Sequence, residues 1–379
     1  MTLTTDELLE QATERAGLDD FGPDDWQEGF GRLVDSVNRD VGDDPDVVER
    51  IRTIIDDRLV NRLRFEDWWA NHEAEAAAHP VEGPLVVIGT GRSGTTATHY
   101  LLAVDPQFRY LRKWEIVDPV PPPLLSAEQH DPRRPKEVEA TVHHIATVDG
   151  PTEDRRILEL CFHDDGRPLG LTTYCREWMD WDHAPAFPFH ERVLRMLHSH
   201  RPPHRWLLKA PDFINNLPPL IAQYPDIRLV MTHRDPVKVI PSICSVTAEH
   251  VRRRLPNHRF DGPTFGREML HHIAEGIRRF MRARDEFGDE LFVDVGQPEL
   301  SVDPVGVARR VYDHAGLELT DEVAAAMADW SEQNRAGSRG QHRYTLEEYG
   351  LTEAMIRAEF AEYLDRYGRW CEPIRGVPR

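Results

Sequence analysis

A chain of 379 residues, 40% hydrophobic and 30% charged, is far from the composition of a disordered protein and is long enough for an α/β catalytic domain with a helical extension. Its 46 lysines and arginines stand against 66 aspartates and glutamates, a formal charge of -20, so the surface as a whole repels nucleic acid and anionic membrane, and any anion site must be locally basic. The four cysteines, Cys161, Cys175, Cys244 and Cys371, are widely spaced, with no CxxC pair and no metal-ligand spacing, which suits a reducing compartment and gives no metal site.

The N-terminus is polar and acidic where a signal peptide would be basic and then apolar, and no apolar run reaches the length of a membrane span. A cytoplasmic protein without a transmembrane segment is expected. From Thr5 to about Ala78 apolar residues recur at helix spacing: Leu8, Leu9 and Ala12, then Val47, Val48, Ile51, Ile54 and Ile55. Asp44 before Pro45 reads as a helix N-cap followed by a first-turn proline. Residues 1–80 therefore form a helical preface, whose apolar stripe could face the core or a second copy in a homodimer.

The texture changes at the turn Gly83-Pro84, after which Leu85 to Ile88 is a wholly apolar, β-branched run, the pattern of a strand buried on both faces. It returns at Trp206 to Leu208, Arg228 to Met231 and Leu291 to Val293, with helical stretches between. Residues 81–379 are expected to be one α/β domain, a P-loop-like three-layer α/β/α arrangement around a mostly parallel sheet. Pro119 to Pro135 is proline-rich and predicts an ordered surface loop, and Glu353 to Tyr367 predicts one amphipathic helix.

The strongest motif is Gly89-Thr90-Gly91-Arg92-Ser93-Gly94-Thr95-Thr96, set directly between the first strand and the helical run Ala97 to Val104. Glycines let the backbone aim successive amides at an anion, and the helix N-terminus adds partial positive charge. The spacing Gly89 to Gly94 matches the nucleotide-triphosphate loop GxxxxGK[ST], but Thr95 stands where the lysine should be, and a cation, Arg92, lies inside the loop instead. That loss argues against ordinary ATP or GTP chemistry, since the lysine is what reaches the outer phosphates.

These residues resemble the sulfotransferase superfamily that uses 3′-phosphoadenosine 5′-phosphosulfate (PAPS), whose 5′-phosphosulfate loop is similar to Thr90 to Thr96. A second family element, a strand ending in arginine with a serine one or two helix turns on, resembles Leu229 to Arg234 followed by Ser242. Leu207-Leu208-Lys209-Ala210-Pro211 resembles a strand end of bacterial members, although Asp212 stands where a histidine often follows. Arg335 to Tyr344 is similar to the glycine-containing basic loop that closes over the 3′-phosphate. The matches run in family order from about residue 83 to 367.

The resemblance implies that Arg92, Ser93, Gly94, Thr95 and Thr96 hold the 5′-phosphosulfate, and that Arg234, Ser242, Arg339 and Gly340 hold the 3′-phosphate. It implies Glu115, Arg92 and Lys209 as catalytic residues, with Glu115 as base at the expected end of a second strand. The base could also be a histidine, and Glu115 could instead order the site by pairing with Arg92 or Lys209. Glu153 to Arg156 would shape the acceptor pocket or be a solvated charged face. His99 and His233 fall near the site, though lone histidines are more often simply packed. Trp68, Trp69, Trp114, Trp178 and Trp181 hint at an apolar acceptor alcohol, a reading that competes with ordinary core packing. Two other functions fit parts of the pattern: a kinase or NTPase with a degenerate loop, and a non-catalytic sensor of adenosine 3′,5′-bisphosphate.

Overall fold

A computed structural model of the chain describes residues 2–41, 44–138, 147–202, 204–254, 261–334 and 345–372. The preface folds into α1 (Thr5–Ala16), α2 (Gln27–Asp40) and α3 (Pro45–Ala77). α3 starts where Asp44-Pro45 predicts: the Asp44 carboxylate accepts from the amides of Asp46 (3.1 Å) and Val47 (3.3 Å), and the proline occupies the first turn, where no amide is needed.

The domain proper begins with β1 (Leu85–Gly89), α4 (Thr95–Leu102), β2 (Phe108–Arg109) and α5 (Lys113–Val117). It continues through α6 (Arg155–Leu160), α7 (Thr172–Trp178), α8 (Ala186–His198), β3 (Arg205–Lys209) and α9 (Leu217–Gln223). Then come β4 (Arg228–His233), α10 (Pro236–Arg254), α11 (Gly262–Phe287) and β5 (Phe292–Gly296). The chain closes with α12 (Gln297–Leu300), α13 (Pro304–Ala315), α14 (Asp321–Gln333), α15 (Glu353–Glu359) and α16 (Ala361–Cys371).

The described strands form one sheet in the order β2-β3-β1-β4-β5, with every pairing parallel. Leu85 of β1 pairs with Leu207 on one side and Arg228 on the other. After β1 the chain fills the β2 and β3 side of the sheet, then crosses to the β4 side. That reversal opens a crevice beyond the carboxyl ends of the strands, where open parallel sheets take their ligands.

β1 is wholly buried because both of its faces are covered. Val86 and Ile88 join Leu208, Leu229 and Met231 in a core shared with the preface, whereas Leu85 and Val87 join Leu207, Val230 and Val295 under α4, α13 and α14. The preface residues Ile51, Ile55, Leu59 and Leu63 line one α3 face of that first core, each worth roughly 1.5–3 kcal/mol of burial.

Two elements differ from the sequence reading. β2 is only two residues long, and Glu115 falls in the short helix α5 rather than at a strand end. The single helix expected from Glu353 to Tyr367 is broken at Phe360, which takes φ -103° and ψ 17° and is buried in the core.

Candidate active site

Gly89 ends β1 at φ 143°, and a Cβ there would collide with Thr232, whose carbonyl oxygen would lie 2.8 Å away. The Ser93 hydroxyl lies 2.6 Å from the Thr90 carbonyl and 2.6 Å from Thr232 Oγ1, so its buried side chain serves the loop's own shape. Arg92 sits in the left-handed region at φ 69°, a conformation that costs a non-glycine residue about 1–3 kcal/mol and needs surroundings that enforce it. α4 then begins: its first bond runs from the Thr98 amide to the Gly94 carbonyl (3.0 Å), leaving the amides of Thr95, Thr96 and Ala97 without an acceptor inside the helix. An anion at that mouth meets oriented donors and the positive end of the helix dipole.

The cations converge on this loop from three strand ends. Arg92 Nε donates to Ser242 Oγ on α10 (3.2 Å), and Arg234, just past β4, donates from Nη1 to the Arg92 carbonyl (2.8 Å). Arg234 Nε is buried and has no partner among the described residues, a state shared with the Nε of Arg109, Arg112, Arg195 and Arg201; what sets Arg234 apart is that it stands at the loop. Lys209, at the end of β3, is buried and donates from Nζ to Glu153 Oε1 (2.6 Å) and Thr96 Oγ1 (3.4 Å). The structure thus gathers Arg92, Arg234 and Ser242 on one side of the loop and Lys209 with Thr96 on the other. Arg339 and Gly340 lie outside the described residues.

Glu153 is the acidic member of this group. The backbone brings it in: the Thr152 amide donates to the Leu111 carbonyl (2.8 Å), and Arg112 and Pro151 form an antiparallel bridge. Its carboxylate is 29% exposed, accepting from Lys209 through Oε1 and from Arg155 Nε through Oε2 (2.9 Å). Burial pushes its pKa up, but Lys209 and Arg155 outweigh it and hold the group well below the usual carboxylate range.

Its neighbour Asp154 does the opposite. It is fully buried, locks the end of β3 by accepting the Lys209 amide, and leaves Oδ1 without a partner among the described residues. Burial pushes its pKa up to about 8. A carboxyl that holds its proton more tightly when folded contributes stability present below about pH 4 and lost as pH rises through about 8. The melting temperature of Asp154→Asn should therefore gain on that of the native protein between pH 4 and 8 and run parallel above. A melting temperature of Asp154→Asn minus that of the native protein that stays constant or falls over that range would refute the account.

Glu115 lies elsewhere. It is fully buried, with Oε1 2.8 Å from Arg109 Nη2, 2.5 Å from Arg112 Nη2 and 3.5 Å from Arg201 Nη2, while Oε2 accepts the Arg112 amide (3.2 Å). It pairs with neither Arg92 nor Lys209. Burial alone would raise its pKa, and Arg109 and Arg112 instead keep it below the ordinary value. These surroundings are those of a carboxylate that neutralises an arginine cluster and closes the first turn of α5.

The remaining expected residues are packed. His99 is buried against the Leu207 carbonyl and burial pushes its pKa down to about 3; His233 bridges Tyr363 (2.8 Å) and Asp294 (2.8 Å). Asp212 pairs with Arg167. Of the five tryptophans, Trp68, Trp114 and Trp178 are buried and Trp69 and Trp181 pack against the core, so core packing accounts for them. Sequence reasoning missed Thr232, which shapes the loop, and gave Glu153 only a vague part. An isolated bridge such as Arg112 with Pro151 leaves no periodic trace that would have drawn attention to it. Among the described residues no group of His, Cys, Asp and Glu is arranged for a metal, and no helix is long and apolar enough to cross a membrane.

A parallel sheet whose first strand runs through an anion-binding loop into a helix, with arginine and lysine brought in from neighbouring strand ends, defines a P-loop-like transferase for a phosphate- or sulfate-bearing donor. Residues 84–321 match the Sulfotransferase family, and the chain belongs to it; its reaction is sulfonate transfer. The whole chain is similar to two solved structures: sulfotransferase STF9 from Mycobacterium avium (31% identity, 98% of both chains, TM-score 0.88) and STF1 from Mycobacterium tuberculosis H37Rv (29%, 95% of this chain and 99% of that one, TM-score 0.81). It is also 23% identical over 315 residues, 75% of each chain, to the omega-hydroxy-beta-dihydromenaquinone-9 sulfotransferase Stf3 of Mycobacterium tuberculosis.

Proposed function

We propose that the protein transfers the sulfonate of PAPS to the hydroxyl of an acceptor with an apolar body, with Glu153, rather than Glu115, as general base. The observation that supports the donor assignment is the placing of Arg234: half-buried just past β4, it holds the Arg92 carbonyl through Nη1 while Arg92 holds Ser242, so that two guanidinia and a hydroxyl meet beside the loop, where a second phosphate on the donor would find them. The helix-start amides with Thr95 and Thr96 would hold the 5′-phosphosulfate, Arg92 and Lys209 its charge, and Arg234 and Ser242 the 3′-phosphate.

In the transfer, the acceptor oxygen attacks sulfur in line while Glu153 takes its proton. The new O–S bond forms as the S–O bond to the 5′-phosphate breaks, and adenosine 3′,5′-bisphosphate leaves with the bonding pair on its phosphate oxygen. Lys209 and Arg92 meet that developing charge. An apolar acceptor is supported by Stf3, whose named substrate is a hydroxylated menaquinone.

Calorimetric titration with adenosine 3′,5′-bisphosphate, without magnesium and with 5′-AMP as control, tests the donor. The 3′-phosphate should tighten binding by roughly 100-fold, and Arg234→Ala should remove most of that gain, as expected for a charge-assisted bidentate contact. Equal affinity for both nucleotides, or a preference for ATP with magnesium, would return the site to the degenerate kinase.

A further inference from the structure

The side chains behind Glu153 form a continuous chain of ion pairs. Arg155 Nε donates to Glu153 Oε2 (2.9 Å), and its Nη1 donates to Glu159 Oε1 one turn along α6 (3.1 Å). Glu159 Oε2 is 3.5 Å from Arg156 Nη1 and 4.0 Å from Arg58 Nη2 on α3, and Arg58 Nη1 donates to the buried Asp164 carboxylate (2.8 Å). Arg58 and Asp164 are 7% and 3% exposed, so this end of the chain is fixed in the core.

We infer that Arg155 is a positioning residue for Glu153, and that Glu159 and Arg58 anchor it to the N-terminal helix α3. The inference rests on Glu153 being the base. Arg155 holds Oε2 with one arm of its fork, which leaves Oε1 directed at Lys209 and the loop. Because its other arm is tied to Glu159, the guanidinium cannot follow Glu153 if the carboxylate swings away, and the geometry is set before substrate arrives. The preface thereby acts on the reaction centre through a charged path as well as through the shared core.

The titratable and charged groups facing Glu153 are Lys209 and Asp212 from β3 and the turn after it, His99 from α4, and Asp154 and Arg155 beside it in sequence, with Thr96 on the far side of Lys209. When donor engages Lys209, Arg155 is the cation left on the carboxylate. Replacing it should alter ionisation and turnover together while leaving donor binding alone.

The test uses full-length protein labelled with carboxyl-¹³C glutamate and saturated with adenosine 3′,5′-bisphosphate, the Glu153 resonance being assigned by its loss in Glu153→Gln. In Arg155→Met its titration midpoint should rise by about one pH unit or more, and Arg155→Lys should bring it back toward the native value. With PAPS and geraniol as acceptor probe, kcat of Arg155→Met should fall roughly 10–100-fold at pH 6 and less at pH 8.5, with the KM for PAPS within about threefold. Glu159→Gln, which keeps the Arg155 charge and loosens its anchor, should lower kcat by a smaller factor at every pH. An unmoved midpoint in Arg155→Met overturns the positioning role even if Glu153→Gln is inactive. Full turnover in Glu153→Gln overturns the base assignment, and the positioning role with it.

Discussion

Glu153→Gln is expected to lower kcat roughly 1000-fold while changing the affinity for adenosine 3′,5′-bisphosphate by less than about threefold. The amide keeps the size of the carboxylate and can still accept from Lys209, so loop and donor site stay in place; what disappears is the ability to take a proton. In the free site Glu153 is a weak base, since Lys209 at 2.6 Å and Arg155 at 2.9 Å hold it ionised far into acid. Donor binding is expected to change that balance. On the proposed mechanism the sulfonate and bridging oxygen would draw Lys209 toward themselves, Glu153 would lose one of its two cations, and its proton affinity would rise as the acceptor hydroxyl arrives. Because the folded-state pKa is depressed, kcat/KM should persist as pH falls through the usual carboxylate range, whereas kcat, which reports the loaded enzyme, should show its acid limb at higher pH. A Glu153→Gln enzyme with more than a tenth of native kcat, or coincident acid limbs, would remove Glu153 as base.

Much of this architecture can be read from local sequence, and the reason is physical. Buried parallel strands must be apolar on both faces, so Leu85 to Ile88 and Arg228 to Met231 announce themselves, and only glycine accepts the backbone that Gly89 and Gly94 adopt, at φ 143° and 108°. Arg234 and Ser242 are legible because one strand and one helix fix their separation. What escapes is anything assembled across the chain. Glu153 owes its position to the pairing of residues 151–152 with 111–112, a contact between two irregular segments, and Thr232 is one hydroxyl within an apolar strand. The surroundings of Glu115 escape for a related reason: the arginines that pair with it are Arg109 and Arg112 nearby but also Arg201, which arrives from just after α8.

Glu115→Ala should destabilise the protein by about 3–5 kcal/mol, the usual cost of stripping one partner from a buried ion-pair network. Three arginines meet there; Glu128 reaches Arg112 at 2.9 Å and also pairs with Arg201, and Asp149 lies 3.7 Å from Arg112, so among the described residues Glu115 is the carboxylate paired with Arg109. Arg109 is already pushed down to about 10 by burial, against the pull of Glu115, so without that carboxylate its charge would stand in the core against Arg112 and Arg201. Thermal melts should register a drop of roughly 4–6 °C, and Glu115→Gln, which keeps the volume and loses the charge, should fall between. The decisive number is turnover per folded molecule. A scaffold carboxylate predicts that folded Glu115→Gln retains kcat within about threefold, because the amide disturbs α5 without touching Glu153, Lys209 or the loop. If instead that variant melts like the native protein and loses kcat by 100-fold or more, Glu115 is the base after all, and Glu153 is left with the task of holding Lys209 against Thr96.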